Sequence, residues 1–337
     1  MKQIVVTRHG LPDVLKLREA PDPRPGPGEV LVAVRACGVN FADLMARKGL
    51  YPGAPEPPGV VGYEVSGVVE SVGEGVDASW IGREVLAGTN FGGYSSKVSV
   101  PLDQVYPKPG NLSFEQAAGL LVNYLTAWQL VVAMGGLKPE ETVLIHNAGS
   151  GVGLAALDVA RHLGAWTIGT ASAGKHEFLK ARGLGHAVDY RKEDFVRAVR
   201  RITSGKGVEL VLDPLGGASW KRSLKVLSRT GRLGVFGVST VSESSWGVWG
   251  FLKLLLSSPF LHPVDLMNRN RGVFGVHLGY MWKEKEKLRA WMGEVLKGVE
   301  KGWVRPHVDR TFSFGEASQA HRYIEERRNI GKVVLVP

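Results

Sequence analysis

The chain of 337 residues is 44% apolar with a formal net charge of +10; that length accommodates two domains, each with its own core. No run of 18 apolar residues occurs, which excludes a membrane-spanning helix. The single cysteine, Cys37, excludes an internal disulfide and a Cys-rich zinc site, so the cytoplasm is the expected compartment. The basic residues are scattered, with neither a recognition-helix signature nor an aromatic-basic stripe. Nucleic acid is therefore not an expected partner, and attraction of an anionic cofactor is a sufficient use for the charge.

Met1-Lys2-Gln3-Ile4-Val5-Val6 reads as a strand and not as a signal peptide. Pro and Gly are dense in Pro21–Gly28, and short β-type runs follow at Val30–Ala36, Val65–Val72 and Arg83–Ala87. That texture predicts a compact β-rich domain over residues 1–120. From 121 to 276 the pattern alternates. Strands are predicted at Thr142–Ile145, Trp166–Gly169, Ala187–Asp189, Val208–Asp213 and Arg232–Phe236, with helical periodicity in Leu154–Leu163 and Phe195–Ile202. Repeated βαβ units imply an α/β fold with a parallel, doubly wound sheet. The apolar segment Trp246–Leu261, interrupted by Ser257-Ser258-Pro259, allows a buried helix, a cleft lid or a dimer contact. A helix over about Lys283–Lys301, a strand near Val308–Phe312, a helix over Gly315–Arg327 and a last strand over Gly331–Val336 complete the chain. In one arrangement residues 277–337 rejoin the first domain and leave 121–276 as an insertion.

The turn His146-Asn147-Ala148-Gly149-Ser150-Gly151-Val152-Gly153 follows the apolar run Thr142–Ile145. A strand, a tight turn and a helix N-terminus make a cradle for a pyrophosphate. The glycine pattern is loose: Ala148 and Ser150 replace the first two glycines and only Gly153 matches, so the turn alone equally suits an ordinary strand-to-helix connection. Further on, where an NAD enzyme usually holds an acid for the ribose 2′-hydroxyl, the chain reads Thr170-Ala171-Ser172-Ala173-Gly174-Lys175. A serine and a lysine suit a 2′-phosphate, and the cofactor expected is NADP(H).

The order of motifs resembles the medium-chain dehydrogenase/reductase superfamily, in its zinc-free quinone oxidoreductase branch and the vesicle amine transport protein subgroup. The matching stretches are Gly38–Arg47, Val72–Val76, Leu120–Tyr124, Gly169–Ser172, Asp213–Gly217 and Gly275–Tyr280. The resemblance implies a GroES-like domain built from both chain ends around a Rossmann domain. It places Ser150, Gly151 and Val152 at the pyrophosphate, Ser172 and Lys175 at the 2′-phosphate, and Tyr190 beside it on the adenine side. Leu215 and Gly216 would border the adenosine. Thr126, Phe236, Gly237, Phe274, Gly275 and Val276 would line the nicotinamide, with Asn329 a further candidate. Lys175 as a solvated helix-start lysine and Tyr190 as a strand-end packing residue are the structural alternatives.

For the reaction centre the resemblance points to Asn40, Tyr51 and Tyr63. Zinc enzymes of the superfamily hold Cys where this chain has Asn40 and His where it has Tyr63, and the four-cysteine structural zinc loop is missing, so no metal is expected. Cys37 is expected to be a small buried apolar residue, Asp43 a buried hydrogen-bonding group and His277 a core histidine. The expected chemistry is hydride transfer from C4 of NADPH to a quinone or an α,β-unsaturated carbonyl, with Tyr51 or Asn40 hydrogen-bonding the developing oxyanion. Two alternatives stay open: an enoyl or alkenal reductase, and an NADPH-binding module with little turnover that acts through partners. A homodimer is expected.

Overall fold

The computed structural model describes residues 1–239 and 254–337. In chain order the strands are β1 (Lys2–Val6), β2 (Leu15–Glu19), β3 (Glu29–Val39), β4 (Gly59–Val60), β5 (Glu64–Val72), β6 (Glu84–Gly88), β7 (Lys97–Pro101) and β8 (Val105–Pro107). They continue with β9 (Thr142–Ile145), β10 (Trp166–Ala171), β11 (His186–Asp189), β12 (Val208–Asp213), β13 (Leu227–Val235) and β14 (Gly272–Gly275). The last two are β15 (Val308–Ser313) and β16 (Lys332–Val336). Two units divide these elements: Met1–Leu125 with Leu278–Pro337, and Thr126–His277.

In the first unit, β-branched residues favour extended backbone and pack well on a pleated surface. The valine-rich β3 is the hub. It pairs antiparallel with β5, β7 and β16, and the main sheet runs β15-β16-β3-β5-β6-β8. Val30, Val32, Val65, Val69, Val85 and Leu335 form its dry centre. Full burial of such a side chain is worth about 1.5–3 kcal/mol. Cys37 lies in this core as a free thiol, and burial pushes its pKa up. β16 closes the unit, because Val333, Val334 and Leu335 sit opposite Val39, Gly38 and Cys37.

The second unit is a six-stranded parallel sheet in the order β11-β10-β9-β12-β13-β14. Its strands are covered on both faces, which suits their unbroken apolar runs: Val143, Leu144 and Ile145 are buried. The order reverses between β9 and β12. The crevice at the carboxyl ends of strands at such a reversal is where open α/β sheets bind ligands. The turn His146–Gly153 leaves β9 at that point. His146 itself is a core group: its ring meets the Thr170 and Ser223 hydroxyls at 3.0 and 3.2 Å and packs on Phe195.

Several boundaries differ from expectation. The strand expected at Arg232–Phe236 starts at Leu227 and ends at Val235, bending at Thr230, whose φ is +67°. β14 carries no strand signal of its own, with glycine at both ends, and forms because β13 offers it a partner edge. The helix expected from Gly315 begins at Ala317, after a single tight turn closed by Glu316 on Ser313. His277 is exposed and not in the core. Of the apolar segment Trp246–Leu261, residues 246–253 lie outside the described residues. Its described end is not buried: Leu256 and Phe260 are 74% and 89% exposed.

If β16 closes the first unit, Leu335→Ala should lower its stability by about 2–5 kcal/mol. Urea unfolding followed by intrinsic fluorescence measures that loss.

Candidate cofactor and reaction site

The cofactor side is built in the second unit. Asn147 turns with φ +53°, and Ser150 caps the helix Gly151–His162 by accepting the Gly153 N–H at 3.0 Å. The Ser150 hydroxyl oxygen is thus the acceptor of the cap. The amides of Gly151 and Val152, in the first helical turn, have no acceptor among the described residues and remain donors. A Cβ on Gly153 would lie 2.5 Å from the Asn147 carbonyl oxygen, so helix and turn can close only over glycine. A Cβ on Gly149 would lie 2.9 Å from Lys175 Cδ. The lysine stem therefore runs over the turn, which brings Lys175 to the cradle.

Ala171 pairs with Asp189, so Ser172 and Tyr190 leave adjacent strand ends. Tyr190 is 41% exposed and carries Arg191 over its ring. The buried acid at the end of β12, Asp213, is consumed internally. It accepts from the Leu215 N–H and from the Ser219 and Ser223 hydroxyls. Gly216, with φ +91°, makes the turn after it. Phe236 and Gly237 follow β13, and a Cβ on Gly237 would stand 3.0 Å from the Pro214 carbonyl oxygen. Phe274 differs from expectation: its ring covers Gly234 across the sheet, as a packing group. Gly275 is exposed, whereas the Val276 N–H is bound to the Val235 carbonyl. Thr126 is buried in the helix Leu121–Trp128.

The reaction-centre candidates lie in the first unit. Asn40 precedes the helix Phe41–Arg47 and is buried. Its Nδ2 donates to Glu64 Oε1 and to the Gly38 carbonyl at 3.2 and 3.3 Å, and its Oδ1 accepts from Lys332 Nζ at 2.6 Å. Both amide hydrogens are spent, so Asn40 is not the oxyanion donor expected from the sequence. Lys332 also pairs with Glu64, whose other oxygen takes the Val122 N–H at 2.9 Å. Its stem passes Gly38 and Gly119, where a Cβ would stand 2.6 and 3.0 Å from it. Asn329, at the same end of the chain, donates to the Gly331 carbonyl.

Tyr51, Tyr63 and Phe91 form an aromatic cluster, with Tyr63 and Phe91 ring centres 4.7 Å apart. The Tyr63 hydroxyl donates to the Tyr51 oxygen, an interaction that raises the pKa of Tyr63 and lowers that of Tyr51. Burial outweighs the lowering, and the net shift of Tyr51 is upward. Its phenol therefore keeps its proton at neutral pH. Among the described residues, no three His, Cys, Asp or Glu side chains converge as metal ligands.

Comparison with known proteins decides the family. Residues 26–110 match the alcohol dehydrogenase GroES-like domain, and residues 182–335 match a zinc-binding dehydrogenase family. The chain is 38% identical over 341 residues to the human synaptic vesicle membrane protein VAT-1 homolog, covering 100% of this chain and 86% of that protein. It belongs to the medium-chain dehydrogenase/reductase family, in its quinone oxidoreductase branch. The Escherichia coli quinone oxidoreductase complexed with NADPH superposes with a TM-score of 0.89 at 32% identity, over 100% of both chains. The CurK enoyl reductase does so at 0.85 and 28%, over 99% of this chain and 98% of its own.

Sequence reasoning did not find Lys332, which lies 292 positions from Asn40. Only the pairing of β16 with β3 brings them together. Breaking that buried pair isolates a charge. Lys332→Met should cost about 3–5 kcal/mol, and the double change Glu64→Leu/Lys332→Met distinctly less. Thermal and urea unfolding of the two variants tests the order.

Proposed function

We propose that this protein is an NADPH-dependent oxidoreductase that passes hydride directly to a quinone-type acceptor without zinc. The observation that carries the cofactor choice is Lys175 lying over the Gly149 turn, with Ser172 in place of an acid at the end of β10. Support comes from the Escherichia coli relative, solved with NADPH. Bound there, NADPH supplies the hydride from its C4. The Gly151 and Val152 amides hold the pyrophosphate, Ser172 and Lys175 the 2′-phosphate, and Tyr190 the adenine side. Leu215 and Gly216 border the adenosine. Thr126, Phe236, Gly237, Gly275 and Val276 orient the nicotinamide, with Phe274 as their support and Asn329 at its side.

For the acceptor, Tyr51 donates a hydrogen bond to the oxygen on which charge develops. Tyr63 holds Tyr51 in place, and Asn40 is a rigid polar wall. A quinone suits such a site, because its reduced anion is stable and needs little acid catalysis. The enoyl or alkenal reductase reading is favoured by one observation: burial raises the pKa of Tyr51 and keeps its phenol protonated, as a proton donor requires. We place the protein in the cytoplasm as a homodimer joined through the sheet edge at β14, which has no second partner strand among the described residues. Among the described residues no helix is long and apolar enough to cross a membrane.

NADPH oxidation across a panel of quinones, enones and enoyl thioesters separates the readings. Tight NADPH binding without turnover of any of them would make it a binding module. Lys175→Ala should weaken NADPH by about 1.5–3 kcal/mol, the range for a hydrogen bond to a charged group. NADH should change little, and fluorescence titration of both cofactors checks the contrast. Tyr51→Phe should reduce quinone kcat/KM only about two- to tenfold, the worth of one ordinary hydrogen bond. A loss of about 10²–10⁴-fold confined to enones would mark Tyr51 as a general acid and favour the reductase reading.

A further inference from the structure

A second polar network lies behind Asn40, buried throughout. Asp43 Oδ2 accepts the Asn40 N–H at 2.8 Å, and its Oδ1 accepts the Gly62 N–H at 3.1 Å. One carboxylate thus ties together the two backbone segments that carry Asn40 and Tyr63. The Tyr94 hydroxyl meets Asp43 Oδ2 at 3.3 Å and His321 Nε2 at 2.9 Å. We propose that Tyr94 is a positioning residue for the reaction site: its hydroxyl, oriented by His321, orders the Asp43 carboxylate that fixes Asn40 and Tyr63. The link to catalysis rests on the function proposed above.

The direction of the hydrogen bonds follows from what surrounds His321. Its Nδ1 is buried with no hydrogen-bond partner among the described residues. The charges acting on it are the cations Arg47 and Lys48, which together with burial hold the ring neutral. Nε and Nη1 of Arg47 are buried donors, also without partners. An N–H on Nδ1 would be one more unpaired donor in a positive field, whereas a lone pair is favoured there. The ring proton therefore sits on Nε2 and is donated to Tyr94, which leaves the tyrosine proton for Asp43.

Asp43 is finely balanced. Burial raises its pKa to about 7, against the pull of the Asn40 N–H, Lys332 and the Tyr94 hydroxyl. The groups facing it are Lys332 of β16, Glu64 of β5, Cys37 of β3, Tyr94, Tyr51 and Tyr63. Tyr94 has little freedom to move. Its N–H and C=O bond to Val61 and Ile4, and its ring closes on Gly62, where a Cβ would stand 2.6 Å away.

The test is a titration of the Asp43 carboxyl carbon, with the Asn40 and Gly62 amides, by NMR of the full chain. In Tyr94→Phe the carboxylate loses a donor, so its midpoint should rise by about one to two pH units. The two amides should follow the same midpoint. His321→Leu should raise it likewise, and His321→Gln, which keeps a donor near Nε2, should restore it. The acidic limb of the kcat–pH profile for NADPH oxidation should move with the carboxyl. An unmoved midpoint in Tyr94→Phe and His321→Leu, or amides that ignore it, overturns the role of Tyr94. A shifted carboxyl with an unshifted acidic limb overturns its link to the site. Absence of wild-type turnover defeats the proposed function instead, and the NMR titration still decides whether Tyr94 orders Asp43.

Discussion

One buried ammonium organises the first unit. Lys332 Nζ sits between Glu64 and Asn40, with side-chain exposures of 4% for the lysine and 1% for the glutamate. Removing both charges from water is costly, and their attraction offsets that cost only when the remaining lone pairs are satisfied. Here they are: Glu64 also takes the Val122 N–H and the Asn40 amide. The geometry demands space as well as charge, which Gly38 and Gly119 provide by lacking a Cβ. Closure of the sheet by β16 and orientation of the Asn40 amide are therefore one event, since both depend on where Lys332 ends.

The polar groups of both units divide into those already satisfied and those left with capacity, and function follows that division. Asp213, His146 and Asn40 spend their hydrogen bonds on their own unit. The amides of Gly151 and Val152 have no acceptor among the described residues and retain donors. The second unit thus offers backbone donors, and the first offers a protonated phenol beside a locked amide. None of these groups is a strong acid. That is the profile of an enzyme whose cofactor carries the difficult chemistry.

Strands with long apolar runs were legible because burial on both faces leaves an unbroken pattern, as in β9 and β12. The helix Gly151–His162 was legible from the periodicity of Leu154–Leu163 and the glycine turn before it. β14 was not, since a four-residue strand between glycines is specified by its neighbour and not by itself. Among the candidate site residues, Asn40, Tyr51 and Tyr63 were singled out by motifs. What Asn40 does with its amide did not, because Lys332 and Glu64 meet it only through tertiary pairing. Tyr94 and His321, 227 positions apart, gave no local signal. Lone buried tyrosines and histidines look alike in sequence whether they are packing groups or parts of a network.

The same network makes the pH dependence of stability two-sided. Asp43 titrates near 7 when folded, against 3.8 for a free side chain. Its neutral form is the one the fold prefers, so its contribution falls as pH rises from about 4 to about 7. His321 acts in the opposite sense, because its folded pKa is pushed well below 6.5. Its neutral ring contributes fully above the unfolded value and is lost as pH falls below it. Between about 4 and 6.5 the two slopes oppose each other. Tyr94 joins the two groups, so the hydroxyl that orders the carboxylate also couples two buried titrations with opposite pH slopes. The fold can thus hold a carboxylate poised near neutrality behind the candidate reaction site, because the histidine hydrogen-bonded to Tyr94 offsets part of the pH dependence the carboxylate introduces.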